Sequence, residues 1–170
     1  MQIFIMRHGE AANSAVDDSL RPLTKKGVLE SKLMGKWLLE KNTQLLAVFV
    51  SPYIRAQQTS AGVSNLLLKS NLITNQLTTL DLITPSGSVQ QVHDFLDGFI
   101  SQLKQTDCSN KDAAILFVSH MPFVSYFVAE LTEAHQMPIF STGAIAIIDY
   151  DIIQMKGCLL DVISPDLVED

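Results

Sequence analysis

The sequence predicts a three-layer α/β/α sandwich, built on a mostly parallel sheet of about six strands with an antiparallel C-terminal addition. Three observations lead to this fold class. The chain has 170 residues, the length of one domain, so we expect residues 1–170 to form a single unit. Its composition, 47% hydrophobic and 18% charged, is that of a folded protein. Finally, short apolar runs alternate with segments of helical periodicity, as in β-α-β units.

The first half of the chain contains three predicted strands and two predicted helices. Gln2 to Arg7 is an apolar run without helical period, which predicts a buried strand. Thr24 is a predicted N-cap, and the apolar residues after it recur at helical spacing. Leu46 to Val50 is a second apolar run that ends before a proline, and Arg55 to Leu68 returns to the helical pattern. Gln76 to Ile83 is the third predicted strand.

The second half of the chain continues this alternation and then changes character. Val89 to Leu103 has the clearest amphipathic helical pattern, and the polar stretch from Thr106 to Asp112 predicts a loop. Ala113 to Val118 is the fourth predicted strand, and a helix is expected from Pro122, as its first residue, to about Glu133. The chain closes with two strand-like runs that we expect to pair antiparallel, Ala144 to Tyr150 and Cys158 to Ile163.

Charge and composition exclude several function classes. The net charge of −6 argues against a broad nucleic-acid interface, and no apolar run is long enough for a membrane span or a signal peptide. Two cysteines, Cys108 and Cys158, are too few for a disulfide framework, so we expect a cytoplasmic protein. The only three arginines, Arg7, Arg21 and Arg55, all lie in the first half of the chain.

Basic side chains follow three of the predicted strands at the point where each strand ends. Arg7 and His8 end the first strand, Arg55 comes shortly after the second, and His120 follows the fourth. Ligands of open α/β sheets bind beyond the carboxyl ends of the strands, so we expect these side chains to lie together. Guanidinium groups repel one another unless an anion lies between them, and their geometry matches phosphate oxygens. The sequence therefore predicts a phosphate site.

The residues around this predicted site resemble the ordered signature of the histidine phosphatase superfamily, which has the phosphoglycerate-mutase-like fold. The resemblance covers residues 1 to about 130. The motifs that carry it are Arg7-His8-Gly9-Glu10, Leu23-Thr24-x-x-Gly27, Ser51-Pro52-x-x-Arg55-Ala56-x-Gln58-Thr59 and Val118-Ser119-His120.

The resemblance implies a role for each basic residue. His8 would attack phosphorus as a neutral imidazole and form a phosphohistidine intermediate, which water hydrolyses. A backbone carbonyl just after the first strand would hold the proton of its other ring nitrogen. Arg7, Arg55 and His120 would surround the phosphoryl oxygens. Arg21 precedes the same Pro-Leu-Thr as in the small phosphatases of the family, so we expect it to contact phosphate or substrate at the edge of the site.

The sequence also departs from the family pattern, and the proton donor is left open. Ala11 follows Glu10 where many members carry a hydroxyl residue. The larger enzymes have a glutamate after the third strand, whereas here Asp81 is the nearby carboxylate. The general acid is therefore Glu10, Asp81 or none. A phosphohistidine substrate, with its labile P–N bond and imidazole leaving group, needs an acid less than a phosphoester does.

Within the family, the short chain and the segments Arg21-Pro22-Leu23-Thr24 and Ser119-His120-Met121-Pro122 look most like the small bacterial protein phosphohistidine phosphatases, which lack a helical cap. This implies a monomeric hydrolase without metal or cofactor, acting on a phosphotransfer or phosphocarrier protein that carries phosphohistidine. The alternatives are a small-molecule phosphomonoesterase of the same fold and a catalytically silent phosphoprotein-binding module.

Overall fold

The computed structural model describes residues 1–13, 16–73, 77–105 and 113–168, which form a six-stranded sheet with helices on both faces. The strand order is β3-β2-β4-β1-β5-β6. β1 pairs in parallel with β4, β4 with β2 and β2 with β3, whereas β5 and β6 are antiparallel. The predicted fold class is confirmed. The strands are β1 (Gln2–Arg7), β2 (Leu45–Val50), β3 (Leu77–Thr79), β4 (Ala114–Ser119), β5 (Ile145–Asp151) and β6 (Lys156–Ile163).

Four α-helices cover the sheet in two layers. One apolar cluster joins β-strand side chains to α1 and α2, and a second joins the other face to α3 and α4. β1, β2 and β4 contribute to both clusters, because successive side chains of a strand point to opposite faces. The helices are α1 (Lys25–Lys41), α2 (Ile54–Lys69), α3 (Val89–Gln105) and α4 (Phe123–Leu131), with 3₁₀ turns at Asp18–Leu20 and Pro165–Leu167.

Most predicted elements agree with the structure to within two residues at each end. The largest difference is in β3, and the helix after β4 is shorter than predicted at both ends. β3 ends at Thr79, and the predicted continuation to Ile83 is wrong, because the chain turns after Leu80 and buries Ile83. The helix predicted from Pro122 to Glu133 begins at Phe123, with Pro122 as its N-cap. It ends at Leu131, where the backbone becomes extended.

Three sequence features lie wholly or partly outside the described residues. The predicted loop from Thr106 to Asp112 and Cys108 are not described, nor is Gln76, the first residue of the predicted third strand. Cys158 is exposed. Across the described ranges, no helix combines the length and hydrophobicity that a membrane span requires.

The loop after β1 is packed directly against the start of α1. Thr24 caps α1 by accepting a hydrogen bond from the backbone N–H of Gly27, as predicted. Gly9 and Gly27 meet so closely that a Cβ on either glycine would overlap the backbone of the opposing segment. This contact fixes the chain immediately after the end of β1, where His8 lies.

We expect Gly27→Ala to destabilise the protein and Gly98→Ala to stabilise it. A Cβ at Gly27 forces backbone apart, and overpacking of this kind costs about 1–3 kcal/mol. Gly98 lies on the exposed face of α3 with open space around its Cα, so alanine there should add about 0.5–1 kcal/mol. Urea unfolding of both variants measures the difference. Equal free energies of unfolding would contradict the packing argument.

Candidate active site

The carboxyl ends of the three central parallel strands bring the predicted basic residues to one edge of the sheet. β1 and β4 are adjacent and in register, so that Arg7 lies opposite Ser119. His8 donates its backbone N–H to the carbonyl oxygen of Ser119 at 2.9 Å. The backbone N–H of Ser51, the residue after β2, likewise bonds to the carbonyl oxygen of Val118 at 3.1 Å. Hydrogen bonds therefore join the ends of the three strands at the edge of the sheet where the site lies.

The His8 imidazole is held by hydrogen bonds at both ring nitrogens. Nδ1 lies 2.6 Å from the carbonyl oxygen of Gly9, which can only accept, so Nδ1 carries the proton. Nε2 accepts a hydrogen bond from Nε of Arg55 at 3.1 Å and therefore keeps a lone pair. Burial lowers the pKa of His8 to about 4, and the positive charges of Arg55 and Arg7 act in the same direction. His8 is thus a neutral imidazole whose Nε2 carries a lone pair and no proton, the form that a nucleophile needs.

His120 lies beside His8, with the two ring centroids 5.0 Å apart. Its Nε2 is 2.7 Å from Oγ of Ser51, whereas its buried Nδ1 has no hydrogen-bond partner among the described residues. Burial lowers the pKa of His120 to about 2, with further lowering by His8 and Arg55. The ring is therefore neutral and carries one proton, on either Nδ1 or Nε2.

Arg7 and Arg55 have different surroundings. Arg7 donates from Nη1 to the carbonyl oxygen of Phe140 at 2.6 Å, but its buried Nε has no partner within the described part of the chain. Burial also lowers the pKa of Arg7. Arg55 is almost fully buried and lies over the ring of Tyr53, 4.9 Å from its centroid. Both guanidinium groups are thus fixed by the fold.

Four buried side-chain atoms of the described residues have no hydrogen-bond partner, and two of them, Nε of Arg7 and Nδ1 of His120, belong to this site. The other two are the hydroxyl oxygens of Ser60 and Ser64 on α2. Buried polar atoms in folded proteins nearly always have a hydrogen-bond partner. A tetrahedral anion against His8 would accept from both nitrogens and lie among the guanidinium groups of Arg7 and Arg55. That anion also requires a donor at His120, which places the His120 proton on Nδ1 and makes Nε2 the acceptor for the Ser51 hydroxyl.

Asp18 is a residue of the candidate site that the sequence analysis missed. Its carboxylate lies 2.9 Å from Nη2 of Arg55 and 2.8 Å from Nη1 of Arg21, and its carbonyl oxygen accepts from Nη1 of Arg55 at 2.5 Å. Hydrogen bonds from Arg21 and then Arg55 lower the pKa of Asp18. Because Asp18 lies three residues before Arg21, their pairing could have been found from this spacing, but its contact with Arg55 could not.

Arg21 is tied to the loop in which it lies. Besides Asp18, it donates from Nε to the carbonyl oxygen of Ala12 at 2.6 Å and from Nη2 to Oδ1 of Asn13 at 3.2 Å. These bonds place Arg21 next to Arg55 through Asp18. The role of Arg21 in substrate binding stays a prediction.

The two carboxylates considered as proton donors have separate surroundings. Glu10 accepts from the hydroxyl of Thr24 at 2.7 Å and lies 3.7 Å from Nζ of Lys26, at the start of α1. Asp81 is exposed in the turn that follows β3. A catalytic role for either stays a prediction. The described residues also contain no group of three or more His, Cys, Asp or Glu side chains suited to a metal ion.

Comparisons with known proteins agree with this geometry. A sequence model described as histidine phosphatase superfamily (branch 1) matches residues 3–78. Phosphohistidine phosphatase SixA of Escherichia coli is 41% identical over 151 residues, 89% of this chain and 86% of that protein. The SixA homologue of Haemophilus influenzae is 35% identical over 156 residues, 89% of each chain.

The solved structures support the same assignment. The structure of the protein histidine phosphatase SixA complexed with tungstate superposes with a TM-score of 0.85 at 36% identity. The match covers 99% of this chain and all of that one. The family resemblance predicted from the motifs is confirmed, and the chain belongs to the histidine phosphatase superfamily.

Proposed function

We propose that this protein is a phosphohistidine phosphatase that works through a covalent phosphohistidine intermediate on His8. The observation that carries the proposal is the His8 ring itself, neutral and with its Nε2 lone pair directed toward Arg55. Around it lie donors fixed by the fold, including two with no partner among the described residues. The similarity to the SixA sequence supports the same chemistry. So does the similarity to the SixA structure that holds tungstate, which is an oxyanion.

In the first step, Nε2 of His8 gives up its hydrogen bond from Nε of Arg55 and attacks the phosphorus of the substrate phosphohistidine, and the P–N bond to the substrate imidazole breaks. When the second nitrogen of that substrate ring carries a proton, the leaving group departs as a neutral imidazole. The phosphoryl group moves to Nε2, and His8 keeps its Nδ1 proton on the Gly9 carbonyl oxygen. The product is a positively charged phospho-imidazole, and no carboxylic acid has been used.

In the second step, water attacks the phosphorus of phospho-His8, and the bond from phosphorus to Nε2 breaks. His8 leaves as the neutral imidazole because its Nδ1 proton never departed, and dihydrogen phosphate is released. The hydrogen bond to Gly9 thus serves both steps. This cycle accounts for a site in which Glu10 is engaged with Thr24 and Lys26 rather than with the leaving group.

The arginines and His120 act by electrostatic stabilisation. Charge on the equatorial phosphoryl oxygens would be met by Nε of Arg7, Nδ1 of His120 and the Arg55 guanidinium. These donors are buried and already oriented, so they need little reorganisation as the reaction proceeds.

We further infer that the substrate is a phosphohistidine carried by a signalling or phosphocarrier protein. We also infer that the protein acts as a monomer in the cytoplasm, without a cofactor. The low cysteine count supports the reducing compartment, and a site at the sheet edge with no inserted cap among the described residues suits a protein substrate.

We expect His8→Ala to abolish the phosphoenzyme, because the attacking nitrogen is lost. Wild type incubated with a radiolabelled histidine-phosphorylated protein should acquire label that is stable in alkali and lost in acid, whereas His8→Ala should acquire none. His135→Ala is the matched control, since His135 is exposed and outside the site. Equal phosphate release by wild type and His8→Ala would contradict the role of His8. Release from p-nitrophenyl phosphate but not from the phosphoprotein would favour a phosphomonoesterase.

We expect the His8 ring to remain neutral far below the ordinary titration range of histidine. Burial favours the uncharged ring, so protonation should occur only as the pH falls toward the pKa of about 4. Imidazole NMR signals of His8 should therefore stay constant between about pH 8 and pH 5, where a free histidine peptide titrates near ~6.5. Signals assigned through the loss of resonances in His8→Ala provide the check. A midpoint at or above that of the peptide would contradict the assigned state.

We expect Ser51→Ala to lower kcat more than it raises KM. Without the Ser51 hydroxyl, Nε2 of His120 loses its donor, and the Nδ1 proton is no longer fixed toward the phosphoryl group. The loss of one such hydrogen bond is worth about 1 kcal/mol, or roughly fivefold in rate. Single-turnover kinetics of Ser51→Ala and the hydroxyl-retaining Ser51→Thr measure the effect. Unchanged rates in Ser51→Ala would exclude this orienting role.

A further inference from the structure

The mouth of the site is bordered by two loops that expose apolar side chains. The loop after β1 carries Val16, which is fully exposed, and Leu20, which is 55% exposed. The segment after α4 carries Met137, 60% exposed, and Ile139, 89% exposed. We refer to Val16, Leu20, Met137 and Ile139 as the rim. Exposed apolar side chains around a functional site are typical of an interaction surface.

Both halves of the rim are attached to the catalytic arginines. Asp18, two residues before Leu20, binds Arg55, and Phe140, next to Ile139, accepts a hydrogen bond from Arg7. These contacts place the two loops on the two guanidinium groups that would hold the phosphoryl group. Each rim residue therefore lies within three positions of a residue that contacts one of these guanidinium groups.

The backbone on both sides of the exposed Ile139 is held by hydrogen bonds. The carbonyl oxygen of Pro138 accepts from Oγ of Ser125 at 2.5 Å, and that of Phe140 accepts from Arg7 at 2.6 Å. Phe140 itself is buried in the core. A large side chain that is anchored yet faces solvent costs little to order on binding, which is the property of a binding hot spot.

We propose that the rim is the docking surface for the protein that carries the phosphohistidine, and that this partner presents an apolar, uncharged surface around its histidine. The proposal rests on the proposed function. A histidine side chain is short, so a phosphohistidine that reaches His8 brings its own backbone to the mouth of the site. The partner surface beside that histidine must then lie against both loops and cover Leu20 and Ile139.

The rim presents apolar side chains to a partner, and the charges beside it are partly paired. Asp18 offsets part of the positive charge of Arg21 and of Arg55, and Arg55 is buried. At the start of α1, Lys25 and Lys26 are exposed, and Nζ of Lys26 lies 3.7 Å from the carboxylates of Glu10 and Glu30. The exposed Lys32 and Lys36 lie further along that helix. They would be the contact for an acidic partner, which makes them the alternative to be tested.

The test compares a protein substrate with a small one. Rim variants Leu20→Asp and Ile139→Asp are assayed with a phosphotransfer domain and a phosphocarrier protein, each phosphorylated on histidine, and with phosphoramidate. We expect kcat/KM on at least one phosphoprotein to fall about tenfold for each substitution, the usual effect of removing an interface anchor. Hydrolysis of phosphoramidate should change by less than about twofold, because the pocket is intact, and this also shows that the variants fold.

Leu160→Asp is the matched control. Leu160 is 57% exposed on β6 and lines a cleft with Met1 and Thr43, at the end of the sheet opposite the site. It should leave both activities unchanged. The docking proposal is overturned if the rim variants keep full activity on the phosphoproteins, or if Lys32→Glu and Lys36→Glu lose it instead. It is also overturned if wild type prefers phosphoramidate to both phosphoproteins.

Failure of the proposed function has a different signature. If wild type releases no phosphate from phosphoramidate or from either phosphoprotein, the phosphohistidine phosphatase assignment itself is wrong, and the rim proposal falls with it. Activity on phosphoramidate alone leaves the proposed chemistry in place and overturns only the docking surface.

Discussion

The hydrogen bond between Nδ1 of His8 and the carbonyl oxygen of Gly9 is the interaction on which the site depends. It fixes the tautomer, so the lone pair is on Nε2, and in the proposed mechanism it would retain the same proton through both chemical steps. The fold protects this bond. The Gly9 N–H is held by the hydroxyl of Thr59 on α2, and Gly9 packs against Gly27 at the start of α1. Two helices and one strand therefore determine the position of one carbonyl oxygen.

Asp18 explains how a buried arginine can point its Nε at a neutral imidazole. Two Nη groups of Arg55 bond to the carbonyl oxygen and carboxylate of Asp18, which leaves Nε facing His8. Arg21 in turn holds the other carboxylate oxygen of Asp18. The Asp18 carboxylate offsets part of the positive charge where these guanidinium groups lie close together. It also links the loop that carries half of the rim to the arginine beneath it.

A second polar cluster on the other face of the sheet has a structural role. His93 on α3 lies 2.9 Å from Glu130 on α4 and 2.8 Å from the hydroxyl of Tyr150 on β5. Tyr150 donates to Asp97 at 2.8 Å, and burial together with this bond raises the pKa of the Tyr150 hydroxyl. The cluster joins α3 to α4 and to the sheet. It satisfies buried polar groups with protein partners and leaves no unpartnered donor of the kind seen beside His8.

The fold class and the convergence of the basic side chains at one site could be predicted from the sequence because both follow from local rules. Apolar periodicity defines strands and helices, and parallel strands place their carboxyl ends at one edge of the sheet, which is enough to bring His8, Arg55 and His120 together. The length of β3 could not be predicted from the sequence. An edge strand ends where its neighbour stops pairing with it, and the periodicity of the sequence carries no information about pairing. The roles of Asp18, Phe140 and the rim could not be predicted, because they depend on contacts between residues far apart in the chain. Such contacts follow from how the loops pack in three dimensions, and no spacing along the sequence encodes that packing.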